Sequence, residues 1–266
     1  MVRTGICILV LFTLLPVVWM LWISLVPQPD FLFTGETAYS LDNYKNILTS
    51  KSLHFIDYLR NSLIISIVAA GMVTFLSSFA GYAVSRMRFP GNIAMPLAIL
   101  ALSMFPPISI VGYLYRVFAS MGMLNTYGAL ILPYIALAVP LSLWIIMSYF
   151  AQIPRDLDKA GFVDGAGRYR VLFKIILPIA LPGIFSAFLL VFIACFNEFL
   201  FALMFTVDFR AQTVPVGIAL FEGLHGEIPW GNIMAASAVA SIPLIALTLL
   251  FQKYVIHGLM TGSVRG

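Results

Sequence analysis

The sequence predicts an all-α membrane protein in which six transmembrane helices form one domain over residues 1–266, with a helix-bearing cytoplasmic loop between the fourth and fifth. The composition is the first reason, because 61% of the residues are hydrophobic and 10% are charged, whereas soluble domains carry about 25% charged residues. Apolar stretches of membrane length recur along the chain, and roughly 20 apolar residues in a helix cross the hydrocarbon core. The charges gather between those stretches, above all in the interval 151–177.

The predicted spans share an apolar composition and are separated by more polar connections. They cover residues 6–26, 62–84, 93–115, 129–150, 179–205 and 233–256. The first ends in VPQPD without a small-residue cleavage site, so we expect it to be retained as a span. The second is rich in Ser, Ala and Gly, which let helices approach closely. The third contains Pro106 and Pro107, which remove two backbone donors and predict a kink or a break.

The distribution of Lys and Arg predicts which side of the membrane each connection faces. Ten of these residues lie near the two termini and in the connections 85–92 and 151–174, and five lie in the remaining connections. Because cytoplasmic connections carry the excess of Lys and Arg, we expect both termini and the interval 151–174 in the cytoplasm. Cations scattered in this way between apolar runs do not indicate a nucleic-acid partner.

The charged interval has the pattern of two helices joined by a bend. Pro154 suits the first helical position, and Asp156 and Asp158 fall in the first turn, where the helix dipole favours anions. Three positions share one face of this first helix by their spacing: Leu157, Ala160 and Gly161. Small side chains on that face would let another surface approach closely.

The bend is predicted at Asp164 and Gly165. Gly165 can adopt a positive φ and close the first helix, and Asp164 can cap the helix that follows. The second helix carries an apolar stripe at helical spacing: Tyr169, Leu172, Phe173 and Ile176. Taken alone, this pattern fits two interpretations, a mechanical element that docks a partner or an amphipathic surface loop whose cations only fix topology.

Polar residues inside the predicted spans are the candidates for a substrate path. Glu198 is the only acid within the six predicted spans, and an ionisable residue inside a membrane indicates function by default. It follows Pro178 by about 20 residues, or roughly 30 Å of helix, which places it near the outer interface. Asn197 and Glu198 either line the path or anchor a neighbouring helix. Tyr113 and Pro106 are further path candidates; an interfacial aromatic belt or span packing is the more common explanation for such a tyrosine, and a simple kink is the alternative for the proline.

Catalytic and metal-binding patterns are missing from the sequence. There is no G-x-x-x-x-G-K-[ST] phosphate-binding loop, so we expect no ATP hydrolysis and no cofactor on this chain. The histidines lie far apart in the sequence, and Cys7 and Cys195 lie within apolar runs without disulfide or metal spacing. We therefore expect no enzyme activity and no metal site.

The charged interval resembles the signature loop of inner-membrane permease subunits of binding-protein-dependent ABC importers. In that pattern Glu-Ala-Ala is followed by three residues and Gly, and after nine residues by Ile, one residue and Leu-Pro. The corresponding residues here are Lys159-Ala160-Gly161, Gly165 and Leu177-Pro178, with Ile175 and Ile176 between them. The departures are Lys for the usual Glu and Gly for the second Ala. Asp158, one position earlier, is expected to replace part of the missing acid.

The resemblance extends over most of the chain. Residues 80–91, 122–154 and 258–266 resemble the sugar-importing branch, in particular the smaller permease subunit of maltose- and trehalose-type systems. It implies docking of a cytoplasmic ATPase on this coupling loop, 151–177, and contact of the ATPase with the C-terminal tail. The docking residues would be Asp158, Lys159, Ala160, Gly161, Asp164 and Gly165. The tail residues would be Gly258, Gly262, Ser263 and Arg265.

The same resemblance implies the partners and the location. They are a second related permease subunit, two copies of an ATPase that binds ATP and Mg, an extracytoplasmic solute-binding protein and the lipid of a bacterial or archaeal cytoplasmic membrane. The expected cargo is a di- or oligosaccharide such as trehalose or maltose. A permease for glycerol phosphate, a polyol or another solute is the alternative within this class. An ion-coupled secondary transporter would require charges in several spans, and a scaffold would not need the Gly bend at a fixed distance from Leu-Pro.

Overall fold

A computed structural model describes residues 2–26, 39–221 and 228–263, and within these ranges all regular structure is helical. The helices are α1 Val2–Ser24, α2 Asp42–Thr49, α3 Phe55–Arg86, α4 Ala94–Ser103, α5 Ile108–Ser120, α6 Tyr127–Gln152, α7 Asp156–Val163, α8 Arg168–Val171, α9 Leu177–Phe196, α10 Leu200–Phe205, α11 Val214–Ala219 and α12 Trp230–Ser263. A single π-helical turn, Leu172–Ile176, joins α8 to α9. The predicted all-helical class is confirmed for the described residues.

Five helical segments of the described chain are long and apolar enough to cross a membrane. They are Thr4–Ser24, Phe55–Arg86, Tyr127–Gln152, Arg168–Phe196 and Trp230–Gln252. Helices α4 and α5 together make a sixth span if the bent pair counts as one. The predicted number of six is therefore reached only with the bent pair.

The third predicted span is broken at its paired prolines. Helices α4 and α5 meet at 89°, and Pro106 and Pro107 lie between Ser103 and Ile108, the residues that end one helix and begin the next. Neither proline has a backbone N–H to continue the helical ladder. The structure thus has the break that the sequence predicted, and α5 continues to Ser120, past the predicted end at residue 115.

The fifth predicted span, 179–205, is wrong as one continuous helix. Helix α9 ends at Phe196, and α10 begins again at Leu200. At the interruption, the Asn197 side chain donates to the backbone carbonyl of Ile193, 2.8 Å away, and so satisfies an acceptor at the end of α9. The flanking sequence is apolar on both sides, and hydropathy therefore did not indicate this end.

Helix α3 is the central helix of the bundle and packs against α6 and α9. Its buried side chains include small ones that recur at helical spacing: Ser62, Ser66, Ala69, Ala70, Ser77 and Ser78. Close packing also involves Gly81, where an added Cβ would lie 3.1 Å from Ile146 Cγ2. Small residues at a helix interface allow the close approach that drives association in lipid, as the composition of this span predicted.

The spanning helices alternate in direction between two ends. At one end, Asn43 of α2 donates to the carbonyls of Ser24 and Val26, both at 2.9 Å, next to the start of α12 at Gly231. At the other end, α3 finishes beside the connection that follows α6, because Arg86 Nη2 donates to the carbonyl of Ile153 at 2.7 Å. We name the latter the basic end, since Arg86, Arg88, Arg155 and Arg168 gather there.

Candidate functional site

Helix α7 lies at the basic end, outside the spanning helices, in the interval that the sequence singled out. The helix ends with both hydrogen bonds of a Schellman motif: Gly165 N–H donates to Phe162 O at 3.1 Å, and Ala166 N–H donates to Gly161 O at 2.9 Å. Gly165 has a φ of +76°, as predicted, and an added Cβ there would meet no atom within 4 Å. The bend is therefore set by backbone conformation alone.

Asp164 does not have the capping role that the sequence suggested. It is the C-cap of α7, with φ −74°, and so lies before the bend and not at the start of α8. The N-cap of α8 is Gly167, in extended conformation, and no side chain caps that helix start. The predicted cap is wrong because the positive φ of Gly165 and the extended backbone of Gly167 place Asp164 on the α7 side of the bend.

Only part of the predicted docking face of α7 is exposed. Leu157 and Ala160 are exposed, whereas Gly161 is buried. An added Cβ at Gly161 would lie 2.9 Å from Ile175 Cδ1 and 3.0 Å from Val171 Cγ2, so this glycine lets α7 pack against its own chain. Gly161 is covered by its own chain, because α7 folds back on the segment that leads into α9. Docking of a partner on α7 stays a prediction.

Asp158 also faces inward. Its Oδ2 lies 3.5 Å from Arg86 Nε, and the side chains of Arg86 and Asp158 are 5% and 10% exposed. Arg86 is its only ionic partner among the described residues. The carboxylate that was expected to replace the acid of the motif on the docking face is thus paired inside the chain. No local pattern indicates this contact, which joins the end of α3 to α7 across the α4–α6 segment.

The outer surface of α7 combines apolar and charged side chains. Val163 is 87% exposed and Tyr169, just past the bend, is 75% exposed; Leu157 and Phe162 are partly exposed. Lys159 Nζ donates to Asp156 Oδ1 at 2.8 Å, with both side chains in solvent. That hydrogen bond and the charge of Lys159 hold the pKa of Asp156 below its usual value. This surface offers apolar area outside the span for another protein to cover.

A cavity lined by charged residues lies beside the contact of α7 with the end of α3. Its volume is about 260 Å³. Five basic side chains and one acid are among the residues that line it: Arg86, Arg88, Arg155, Lys159, Arg168 and Asp158. The cations whose count predicts the orientation of the chain thus surround the one carboxylate that faces Arg86.

The apolar stripe predicted for the second helix of the interval is only partly buried. Val171, Leu172 and Ile176 are buried, whereas Tyr169 and Phe173 are exposed. Leu172–Ile176 forms a π-helical turn, whose hydrogen bonds span five residues instead of four. The wider turn rotates Phe173 out of the position that the α-helical period assigned to it.

Glu198 lies at the break between α9 and α10, toward the opposite end of the bundle. Its Oε1 accepts from Phe201 N–H at 3.0 Å, and its Oε2 accepts from Ala202 N–H at 3.2 Å and from Tyr134 O–H at 2.8 Å. The carboxylate therefore satisfies the first donors of α10 and fixes it to α6. This is the anchoring arrangement, and the lining of a substrate path by Glu198 stays a prediction.

The other path and tail candidates are not brought together with Glu198. Tyr113 is exposed on α5, and Pro106 is exposed in the bend before it. Among the described residues, no hydrogen bond or ring contact joins Tyr113 to Glu198. In the tail, Gly258, Gly262 and Ser263 lie in the last turns of α12, and Arg265 lies outside the described residues.

A polar network at the opposite end was not predicted. Asn61 of α3 donates to the carbonyls of Phe209 and Gln212, both at 2.9 Å, and accepts from Tyr127 O–H at 2.6 Å. Val214 N–H donates to Ser62 Oγ at 2.8 Å. These bonds attach the connection 206–214 to α3, and the Tyr127 hydroxyl joins α6 to the same asparagine of α3. Asn61 follows the charged residues Asp57 and Arg60, and this polar cluster at the start of an apolar helix was the available signal.

Comparison with known proteins identifies the family. A family model described as "Binding-protein-dependent transport system inner membrane component" matches residues 73–260. The trehalose/maltose transport system permease protein MalG of Thermococcus litoralis is 51% identical over 264 residues, which cover 98% of this chain and 95% of that protein. The trehalose transport system permease protein SugB of Mycobacterium tuberculosis is 38% identical, with 96% and 93% covered.

The fold has a solved counterpart. The crystal structure of a bacterial ABC transporter involved in the import of the acidic polysaccharide alginate contains a chain with a TM-score of 0.74 and 18% identity, and the match covers 95% of this chain and 94% of that one. Its likeness concerns the fold alone. The family match and the apolar helices make this a multi-pass membrane protein. On the family model and the identity to both permeases, the chain belongs to the family of inner membrane components of binding-protein-dependent transport systems.

Proposed function

We propose that this chain is a permease subunit of an ABC importer that moves a di- or oligosaccharide of the trehalose or maltose class into the cytoplasm. The observation that carries the proposal is the 51% identity over nearly the full length to a trehalose/maltose permease. The chain supplies one half of the membrane pathway, and a second, related permease subunit supplies the other. An extracytoplasmic solute-binding protein delivers the sugar.

The basic end faces the cytoplasm in this proposal, together with both termini. The cluster of arginines at the ends of α3 and α6 supports this orientation, since Lys and Arg are enriched on the cytoplasmic side. Two copies of a separate ATPase bind there and hold ATP and Mg, whereas this chain binds no cofactor and catalyses no reaction. The exposed outer surface of α7, with Leu157, Phe162 and Val163, docks on the ATPase, and the tail 258–266 makes a second contact.

Docking on this surface assigns separate roles to the motif residues. Lys159 and Ala160 are exposed and face the ATPase, and Asp164 and Gly165 shape the end of the docked helix. Asp158 and Gly161 hold α7 against the rest of the chain. The Lys in place of the usual Glu thus presents a cation next to the exposed Asp156 carboxylate, to which it is hydrogen-bonded.

Transport then follows from closure of the ATPase pair around ATP. Closure moves α7, and the continuous helical path from α8 through the π turn into α9 carries the motion into the membrane. The break at Asn197–Phe199 and the 89° bend between α4 and α5 are the points where the spanning helices change direction. Rigid movement of helices about such points alternates access between the two sides.

The experiment is ATP-dependent uptake in proteoliposomes that contain this chain, its partner permease and the ATPase. Radiolabelled trehalose and maltose, each with the purified solute-binding protein, are compared with glycerol phosphate and a polyol. We expect uptake of a disaccharide only with ATP on the ATPase side. Uptake of glycerol phosphate or the polyol alone would contradict the sugar assignment, and uptake driven by an ion gradient without ATP would contradict the importer class.

A further inference from the structure

Besides its backbone connection to α6, helix α7 makes one contact that is close in sequence and one that is far in sequence. The first is the bend at Gly165 and the packing of Gly161 on Val171 and Ile175, which leads into α9. The second is the contact of Asp158 with Arg86, the last residue of α3. The two attachments lie on different helices of the bundle.

The second attachment is an ion pair shielded from solvent. Arg86 Nε and Asp158 Oδ2 are 3.5 Å apart, and their side chains are 5% and 10% exposed. Loss of either partner would leave the other charge largely buried at the wall of the cavity and without its counter-charge, which is unfavourable. The pair therefore resists separation far more than an ion pair in solvent does.

Arg86 also holds the chain that precedes α7. Its Nη2 donates to the Ile153 carbonyl at 2.7 Å, and Arg155 Nη2 donates in return to the Ser85 carbonyl at 3.2 Å. The end of α3 is thus bound to both the α6–α7 connection and α7 itself. A displacement of α7 that keeps these contacts must displace the end of α3.

Helix α3 extends from this attachment to the opposite end of the bundle. It is one helix of 32 residues, or roughly 48 Å at 1.5 Å per residue. Near its start, Asn61 holds the connection 206–214 through the carbonyls of Phe209 and Gln212. An axial or tilting movement of α3 would therefore reach the surface at the end opposite to α7.

We propose that the Arg86–Asp158 pair is a second mechanical link, which carries the movement of α7 into α3 and through it to the connection 206–214. Both residues are positioning residues. The proposal rests on the proposed function, because the ATPase is what moves α7. Movement of α7 would then be transmitted to α3 as well as along the continuous helical path into α9. The two ends of the bundle would be coupled through α3, a helix that does not follow or precede α7 directly in sequence.

The chain contains a matched control for this link. Asp156 lies two positions before Asp158 on α7 and pairs with Lys159 at 2.8 Å, with both side chains in solvent. An exposed pair at i, i+3 contributes little to the free energy of folding. Asp156→Asn therefore removes an equal charge from the same helix without touching the link.

The test uses the complete transporter in proteoliposomes, with ATP hydrolysis and sugar import measured on the same preparation. The variants are Asp158→Asn, Arg86→Gln, the exchanged pair Arg86→Asp with Asp158→Arg, and Asp156→Asn. Arg86→Lys, which keeps the charge, replaces Arg86→Gln if the neutral variant does not assemble. Amide hydrogen exchange over residues 156–163 reports separately on whether α7 stays fixed to the end of α3.

For Asp158→Asn and Arg86→Gln we expect roughly fivefold or more ATP hydrolysed per sugar imported, the scale of typical coupling energies, in transporters that still assemble. Amide exchange in α7 should be on the order of tenfold faster. The exchanged pair should recover at least part of the coupling, and Asp156→Asn should match the wild type in the amide exchange of α7. A role in folding alone would lower hydrolysis and import together and leave their ratio unchanged.

A wild-type ratio in Asp158→Asn, equally fast amide exchange of α7 in Asp156→Asn, or an exchanged pair no better than the single variants would overturn the link. Failure of the proposed function appears elsewhere, as absence of sugar import in the wild-type transporter. In that case amide exchange of α7 still tests whether the Arg86–Asp158 pair holds the helix. Unchanged exchange of α7 in Asp158→Asn would show that the pair does not hold it.

Discussion

The bend at Gly165 provides a prediction whose size follows from backbone conformation alone. Gly165 has a φ of +76°, and an added Cβ meets open space. Gly165→Ala therefore introduces no clash and costs only the left-handed conformation, about 1–2 kcal/mol for an L-residue. Since 1.4 kcal/mol is a factor of ten in an equilibrium, the closed end of α7 should open roughly 5- to 30-fold more often.

Gly165→Pro should have a larger effect. Proline fixes φ near −65° and removes the N–H that donates to Phe162 O, so the end of α7 cannot form at all. We expect this variant to insert in the membrane but to lose sugar uptake and coupled ATP hydrolysis. Gly165→Ala should keep part of both activities.

Gly167→Ala is the matched control for these variants. Gly167 lies two residues further on with a φ of −73°, and an added Cβ there also meets no atom within 4 Å. The Ala166 N–H donates to Gly161 O and reports on the closed end of α7. Its amide exchange and the uptake of sugar are both measured in the wild type and in each variant. Equal exchange in Gly165→Ala and Gly167→Ala, or normal uptake in Gly165→Pro, would refute the reasoning.

Two further predictions concern the membrane-spanning part. In Gly183→Ala the new Cβ would overlap the Tyr149 ring, whereas at Gly71 it meets no atom within 4 Å. We expect Gly183→Ala to lower the free energy of unfolding by about 1–3 kcal/mol through overpacking and Gly71→Ala to leave it unchanged. The measurement is the Tm of the detergent-solubilised chain. Glu198→Gln replaces a carboxylate that accepts three hydrogen bonds, one from Tyr134. It should lower the free energy of unfolding by about 1.5–3 kcal/mol, seen as a lower Tm, with an unchanged KM for sugar. A changed KM at normal Tm would support the lining of the substrate path instead.

The sequence was sufficient for features that depend on local patterns. Hydropathy located the spanning helices because each must satisfy its own backbone hydrogen bonds in lipid. Pro106 and Pro107 indicated the break in the third span, since proline cannot donate to a helix. The glycine after Asp164 indicated the positive φ of the bend. Each of these features is decided by residues within one or two turns.

Features that depend on distant residues were not predicted. Arg86 and Asp158 are separated by three helices, and nothing in the spacing of either indicates the other. The π turn of Leu172–Ile176 was missed because the apolar stripe was assigned with an α-helical period. Glu198 was placed inside a continuous span because apolar residues flank it on both sides, although its carboxylate begins a new helix by accepting the N–H groups of α10.

The orientation and the docking surface together are tested by one cross-linking measurement in the complete transporter. Single cysteines at Val163 on α7 and at Val207 at the opposite end, both highly exposed, are introduced with the exposed Cys7 changed to Ser. We predict that Val163→Cys forms a covalent product with the ATPase and that Val207→Cys reacts instead with a membrane-impermeant thiol reagent added outside. A product between Val207→Cys and the ATPase, or outside labelling of Val163→Cys, would contradict the assignment of α7 as the ATPase-docking helix.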